Sequence, residues 1–485
     1  MNPLNHRLVL PSIIALLVAG CTVGPDYVKP GADVPAAYRE ADGWKSAEPR
    51  DHVARGKWWE MFGDPLLNQL VEQVSVSNQT LAQAEANYRV AAAIIQATDA
   101  ASYPTLAAGP GMTRSRASSN TNSNTPRSVV QTDSLSFSAS WLPDFWGRVR
   151  RGVEASIANA QASAGLVETA RLSAQAQLAQ GYFQLRMLDG QRRLFDDILA
   201  GYGKALQVTQ NQYKAGVTAR ADVIQAQAQL RTVQAQAIDL GVQRAQLEHA
   251  IAVLVGKPPS ELKIAAADVT PTPPAIPAEL PSALLERRPD IATAERRVAA
   301  ANAQIGVAKS AYFPVVSISS SGGYQSSLLA GLLTMPSRFW SIGPSVAETI
   351  FDGGLRQSQT EQAIAAYDAS VAAYRQTVLT GFQQVEDNLS TLRILAEESA
   401  VQDEAVKASN QSLELALNQY RAGIISFLPV VVAQNNALAN LRTASNLLGL
   451  RMTASVQLIA ALGGDWSTAA LPTPEKISSV NKERK

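Results

Sequence analysis

The sequence predicts an α+β chain in which a long α-helical body joins a β-barrel, with the whole plan written twice. Three observations carry that reading. One pattern occurs twice at an offset of 207 residues: Asn211-Gln212-Tyr213-Lys214-Ala215-Gly216 returns as Asn418-Gln419-Tyr420-Arg421-Ala422-Gly423. Gly147 returns as Gly354 and Gly256 as Gly463 at that same offset, and Ser102-Tyr103-Pro104 returns less closely as Tyr312-Phe313-Pro314. Residues 148–214 and 354–422 contain no proline and are rich in Ala and Gln, so each can run as one helix of about 100 Å at about 1.5 Å per residue. Between those helices and the ones before them lie segments that alternate apolar and polar residues, as half-wetted strands do.

Bulk properties narrow the classes. At 485 residues the length alone suggests about three domains, but the repeat argues for one intertwined body of two halves. The charge balance, 42 basic against 41 acidic residues, gives no support for nucleic-acid binding. Hydrophobic residues make up 46% of the chain, yet no run after residue 20 approaches a membrane-spanning helix. A β-barrel escapes that test, because its strands alternate.

The N-terminus reads as a secretory signal over residues 1–20, with basic Arg7 followed by the apolar run Leu8 to Val18. It ends Val18-Ala19-Gly20-Cys21, and Cys21 is the only cysteine in the chain, so no intramolecular disulfide can form. Residues 21–62, rich in Pro, Gly and Trp, are expected to form an extended arm.

The first repeat is expected over 63–256. Asp64-Pro65 is a helix start with proline in the first turn, and helical apolar spacing continues from Leu66 to Ala101 until Tyr103-Pro104 ends it. Strands are expected at about 103–114 and 132–143. In the clearest, Leu135, Phe137, Ala139 and Trp141 face one way, and Ser134, Ser136, Ser138 and Ser140 the other. In a soluble sandwich the apolar face is core; in an outer-membrane barrel it meets lipid around a hydroxyl-lined lumen. Ser118 to Pro126 reads as a polar loop. A helical hairpin with its tip near residue 216 completes the unit. Its return helix is about half as long as its first, and the helix at 66–101 has the length to stack end to end on it.

A Pro-rich linker is expected at 257–286, a second repeat at 287–466 and a flexible tail at 467–485. In the second repeat, strands are expected at about 314–325 and 339–351, with Trp340, Ile342, Pro344 and Val346 alternating against Ser341, Gly343, Ser345 and Ala347, and the hairpin tip falls near 423. Trp141, Trp146, Tyr324 and Trp340 lie near strand ends, where aromatic residues girdle a bilayer. If these four strands are all the chain has, barrel closure needs other subunits.

Catalytic signatures are missing from the sequence. It has no GxxxxGK loop, HExxH, CxxC or GxSxG. Gly109-Pro110-Gly111 and Gly201-Tyr202-Gly203 are fragments of a glycine fingerprint without a third glycine. The histidines are His6, His52 and His249, and they form no cluster with carboxylates, so neither a metal nor another cofactor is expected.

The Val18-Ala19-Gly20-Cys21 box, the Cys21-Thr22-Val23-Gly24-Pro25-Asp26-Tyr27 start, the two Tyr-x-x-Gly turns and Phe351-Asp352-Gly353-Gly354 together resemble one family. It is the TolC-like outer membrane factors, in particular the lipoprotein (NodT-type) subgroup that serves resistance–nodulation–division efflux pumps. The resemblance covers Cys21 to about Trp466. It implies N-acylation and S-diacylglycerol modification of Cys21, and Thr22 in place of an aspartate implies sorting to the outer membrane. It implies a homotrimer in the outer membrane, whose four strands per chain close a twelve-stranded barrel above a periplasmic coiled-coil tunnel. The partners implied are a periplasmic adaptor (membrane fusion) protein and an inner-membrane transporter, with passive conduction of drugs or other small molecules and no enzymatic step. The same architecture could serve type I-like protein secretion, and a periplasmic coiled-coil lipoprotein with a structural role is the alternative of a different class.

By resemblance, Tyr213, Gly216 and Thr218, with Tyr420, Gly423 and Ser426, are the tips that meet the adaptor. Acidic residues just past the second tip commonly narrow the tunnel in relatives. Here Asp222 holds that position in the first repeat, but its counterpart is Pro429, followed by Val430, Val431 and Val432. The periplasmic aperture is therefore assigned to Asp222, Pro429 and Val432, with an apolar constriction that can gate by dewetting.

Overall fold

The computed structural model describes residues 22–41, 57–118, 120, 129–267, 273, 274, 276 and 284–480. The signal segment, Cys21, His6, His52, most of the polar loop and much of the linker lie outside them.

Asp64 opens helix α1 (Pro65–Ser77): its carboxylate accepts from the backbone N–H of Leu66 at 2.9 Å and of Leu67 at 3.1 Å, two of the donors a helix start leaves free. The expected single helix then breaks. Asn78 leaves the helical conformation and caps α2 (Gln79–Asp99) by accepting from Leu81 N–H at 2.9 Å. Strands β1 (Thr105–Ser115) and β2 (Val130–Trp141) lead into α3 (Arg148–Lys214) and α4 (Arg220–Leu254). The second half repeats the order with α5 (Pro289–Ser310), β3 (Val315–Ser326), β4 (Arg338–Ala347), α6 (Leu355–Arg421) and α7 (Phe427–Ala461). Both first arms, α3 and α6, have 67 residues and both return arms, α4 and α7, have 35, so the sequence repeat is a repeat of structure.

The break at Asn78 is what lets short helices stack on the return arms. The Asn78 side chain donates to the Leu254 carbonyl, at the end of α4, at 2.8 Å. In the second half Arg288, the residue before α5, donates to the Ala461 carbonyl at the end of α7, at 2.9 Å. Each return arm thus runs on, end to end, into a second helix that travels toward the strands. An asparagine inside a helical apolar pattern gives no sequence warning of this; its partner is 176 residues away.

The main core lies at mid-height, where Trp58, Tyr182, Ile251, Ile291 and Tyr374 are almost wholly buried. Beside it sits a buried ionic cluster. Asp189 accepts from Arg244 at 2.7 Å, from Arg186 at 3.1 Å and from Ala267 N–H at 3.3 Å. The two arginines also hold the carbonyls of Ile264 and Ala265, each at 2.6 Å, so the cluster staples the chain after α4 onto the helices. Asp189→Ala leaves the buried Arg186 without an anion and Arg244 with Glu248 alone, and should destabilise the helical body by about 3–5 kcal/mol. Heating the solubilised protein under circular dichroism checks this; an unchanged melt would make the cluster dispensable.

The arm, residues 22–41, lies extended across the helices. Gly24 has φ +103°, and a Cβ there would come within 2.5 Å of Gly306 Cα, so only glycine fits this backbone crossing. Arg151 holds the arm by donating to Asp26 at 2.8 Å and to the Val23 carbonyl at 3.2 Å. Farther along, the backbone N–H groups of Arg39 and Glu40 donate to Glu386 at 2.7 and 3.0 Å.

The tail departs from expectation. Residues Pro474–Val480 form a short helix, α8, and Ile477 is buried against Ala92 and Ala160. One isoleucine in a polar segment is too weak a sequence signal to mark an element, yet it suffices to dock this short helix.

Candidate functional site

The four strands form one antiparallel sheet in the order β1-β2-β3-β4. Its register sorts the side chains. Phe137 lies beside Ala108 and Gly322, Gly322 beside Trp340, and Ser320 beside Ile342. One face therefore carries Leu106, Leu135, Phe137, Trp340, Ile342 and Val346, with Ser320 among them. The other carries the serines of β2 from Ser134 to Ser140, Ser317, Ser319 and Ser321 of β3, and Ser341 and Ser345 of β4. No described residues cover the apolar face: Trp340 is 76% exposed, Ile342 67% and Val346 68%. On the other face the hydroxyls pair among themselves and with backbone. Ser321 and Ser341 oxygens are 2.8 Å apart, and Ser136 donates to the Gly109 carbonyl at 3.3 Å. A sandwich would bury the apolar face against a second sheet; the described residues contain one sheet only.

Where strands meet helices, the aromatic residues divide into two roles. Trp340, at the far end of β4, and Trp141, at the near end of β2, remain open to the outside. Trp146 does not join them: it stacks on Phe313 at 4.9 Å between ring centres and donates to the Pro314 carbonyl at 2.7 Å. It is a joint between the halves, and tryptophan's polar handle serves that as well as it serves an interface. Strand β4 also stops at Ala347, short of the expected 351, and Ile350 and Phe351 stand 95% and 89% exposed at the rim. Asp352 ends this exit: Arg356 donates to it at 2.6 Å and holds its carboxyl below the usual carboxylate range.

At the opposite end of the molecule both hairpins close with the same turn. Gly216 (φ +77°) and Gly423 (φ +76°) follow α3 and α6 in the left-handed region. Gly216 N–H donates to Tyr213 O and Val217 N–H to Gln212 O; Gly423 and Ile424 repeat both bonds to Tyr420 and Gln419. This is the two-bond glycine cap that satisfies the last carbonyls of a helix. Nothing lies within 4 Å of a Cβ built on either glycine, so both turns face open space.

The tip residues are not equivalent. Tyr213 is 45% exposed, whereas Tyr420 is 4% exposed. Tyr420 donates to Thr209 at 3.1 Å and meets Phe427 edge-on at 5.1 Å, inside a cluster that joins the two hairpins. Thr218 is half-buried and donates its hydroxyl to Asp222, while Ser426 is exposed at the start of α7 and makes no side-chain cap.

The aperture residues line up in part. Asp222 sits in the first turn of α4, where a negative charge favours the helix dipole. Pro429 and Val432 are both exposed and line one groove between α6 and α7, with Leu428 beside them; Val430 and Val431 turn inward to the hairpin core. Of the valine run, only Val432 lines that groove. Among the described residues no helix is long and apolar enough to cross a membrane, and no His, Cys, Asp and Glu group could hold a metal. His249 is exposed on α4.

Known proteins share this plan. Residues 70–257 and 280–464 match the model of a family described as outer membrane efflux protein, one match for each half of the repeat. A probable efflux pump outer membrane protein of Pseudomonas putida, TtgC, is 28% identical over 469 residues, 96% of both chains. The solved outer-membrane channel OprN superposes with a TM-score of 0.85 at 29% identity, over 92% of this chain and 99% of that one. The open state of the MtrE outer membrane channel of Neisseria gonorrhoeae gives a TM-score of 0.80 at 27% identity, over 92% and 98%.

Proposed function

The chain belongs to the outer membrane efflux protein family, and from that premise we propose that three copies close one twelve-stranded barrel over a common helical tunnel and conduct small molecules outward. It is the outer membrane channel component of an efflux pump. The observation that carries this is the sheet, with four strands, an apolar face left uncovered and a hydroxyl face turned away from it. Such a sheet has no stable soluble form by itself, whereas closing its edges with two further copies places the apolar face in lipid and the serines around water. The reading of a soluble structural lipoprotein leaves that apolar face unexplained.

Conduction is passive. An inner-membrane resistance–nodulation–division transporter supplies the energy and a periplasmic adaptor joins it to the tips. The open turns at Gly216 and Gly423, with Tyr213, Thr218 and Ser426 beside them, are the adaptor's landing points. Tyr420 is excluded from that role by its burial and instead ties the hairpins together. In cells stripped of their own outer-membrane efflux channels, expression of this chain with its pump and adaptor should lower accumulation of a fluorescent efflux dye. Equal accumulation with and without the chain contradicts the reading.

Cys21 carries the lipid in this account. Its neighbour Thr22 lies against Gly147, at the joint between β2 and α3, and Val23 N–H donates to the Trp146 carbonyl at 3.2 Å. Thr22 thus stands where the strands meet the helices, a level that suits an anchor in the inner leaflet. Cys21→Ser should abolish metabolic labelling with palmitate, while the barrel still inserts; undiminished labelling contradicts the modification.

A further inference from the structure

At mid-height, where α7 ends against α5, a recess of about 510 Å³ lies between α3 and α6. That is the size of a small-molecule site. Five amides and a hydroxyl line it: Ser173, Gln177 and Gln180 of α3, Gln384 and Asn388 of α6, and Gln457 of α7. They interrupt helix faces that are otherwise packed. Gln177 is exposed between buried Ala176 and Leu178, and Gln457 between buried Val456 and Leu458. The charged residues of the lining, Arg288 and Asp290, neutralise each other through two bonds at 3.0 and 2.6 Å. The direction in which the recess opens follows from α6. Glu386 takes the backbone N–H groups of the arm. Gln384 and Asn388, two residues to either side, leave the helix about 200° away from it. The recess and the arm therefore lie on opposite faces of the wall. An arm tied to a membrane lipid runs along the outside, so the recess opens toward the tunnel.

We infer that this recess is a resting site for an uncharged, hydroxyl-rich solute of the carbohydrate class on its way through the tunnel. The inference rests on the channel reading above and names a solute class for it. An amide offers a donor and an acceptor side by side, and a hydroxyl does the same. Within the recess Gln177 donates to Ser173 at 3.1 Å, Gln457 to the Gln180 oxygen at 3.3 Å and Asn388 to the Gln384 carbonyl at 2.6 Å. Each of these three amides keeps its second N–H and its own oxygen for a ligand. An ion entering here leaves water and meets no unpaired charge of opposite sign. An aliphatic solute strips the amides of water and gives no hydrogen bond in return. A sugar avoids both costs: its hydroxyls meet the amides, and its C–H face covers the apolar strip at Leu172 and Ala460.

The test uses the full-length lipidated protein, in bilayers and in detergent. Maltohexaose added to a conducting channel should interrupt the current in discrete blocks, and polyethylene glycol of equal hydrodynamic size should not. Gln384→Leu with Gln457→Leu, which keeps the bulk and removes two amides, should shorten the blocks about ten-fold. Gln383→Leu, exposed on the same helix but outside the lining, should leave them unchanged. Equal block by polyethylene glycol, or blocks of the same length in the double variant, means occlusion by size and overturns the site while the channel reading stands. Absence of conductance from any variant overturns the channel reading, and equilibrium dialysis then decides the site separately. Saturable uptake of radiolabelled maltohexaose by the solubilised protein, one per chain and lost in the double variant, upholds the site. No uptake, or uptake that survives both substitutions, overturns it.

Discussion

Ile342→Arg should prevent assembly in the outer membrane, while Ser341→Arg, one residue away, should not. The two side chains leave β4 on opposite faces. Ile342 lies in mid-strand on the uncovered apolar face, and an arginine facing hydrocarbon near the bilayer centre costs about 2–4 kcal/mol in each copy. Ser341 faces the hydroxyl side, 2.8 Å from Ser321. Its replacement loses one exposed hydrogen bond, worth about 1 kcal/mol, and adds a positive charge to a wet lumen, which should shift conductance toward anions. Heat-modifiable trimer in outer-membrane fractions reads the first effect and reversal potential the second. Equal tolerance of both arginines would mean that the sheet does not face lipid.

Gly423→Trp should abolish efflux with trimer left intact, lowering drug resistance at least ten-fold. A tryptophan in the left-handed region costs about 1–2 kcal/mol, small against a helical body with a continuous core. The turn faces open space, so the added ring meets nothing within its own chain. What it does meet is whatever docks at the tip. Gly423→Ala, with the same backbone cost and little bulk, separates strain from obstruction: it should retain most of the efflux. Full resistance with Gly423→Trp would remove this turn from the docking surface.

Much of this is legible in the sequence because the protein is built twice. A motif such as Asn-Gln-Tyr-x-Ala-Gly fixes a helix end through one glycine, and its second copy confirms the reading without reference to the rest of the chain. Strand alternation is equally readable, because both faces of the sheet look outward from the single chain and no tertiary contact disturbs the pattern. The misses share a different cause. Tyr213 and Tyr420 sit in the same motif, yet one is surface and the other core, and only the neighbouring hairpin decides which. Asn78 ends a helix in a segment whose apolar spacing does not change there, through a bond to a residue on another helix. Position along the chain groups Trp146 with interfacial aromatics, whereas Phe313 and Pro314 across the repeat boundary hold it. Each of these depends on a partner distant in sequence, which periodicity does not report.

The tip asymmetry also bears on function. Tyr420 holds the hairpins of one chain together, whereas Tyr213 and Ser426 stand exposed beside the glycine turns and Thr218 is half-buried, so on the docking reading proposed above these residues and the turns are what a partner meets. Close to the tips, Asp222 lies in the first turn of α4, while Pro429 and Val432 line an open groove between α6 and α7.

The most direct test of a gated outer-membrane channel is single-channel recording from the purified, lipidated protein in planar bilayers. The account predicts stepwise ion conductance that is small at rest and rises when Val432 is replaced by Ser and the apolar ring is wetted. A protein that runs as a soluble oligomer once its lipid is removed, and gives no conductance in any variant, would contradict it.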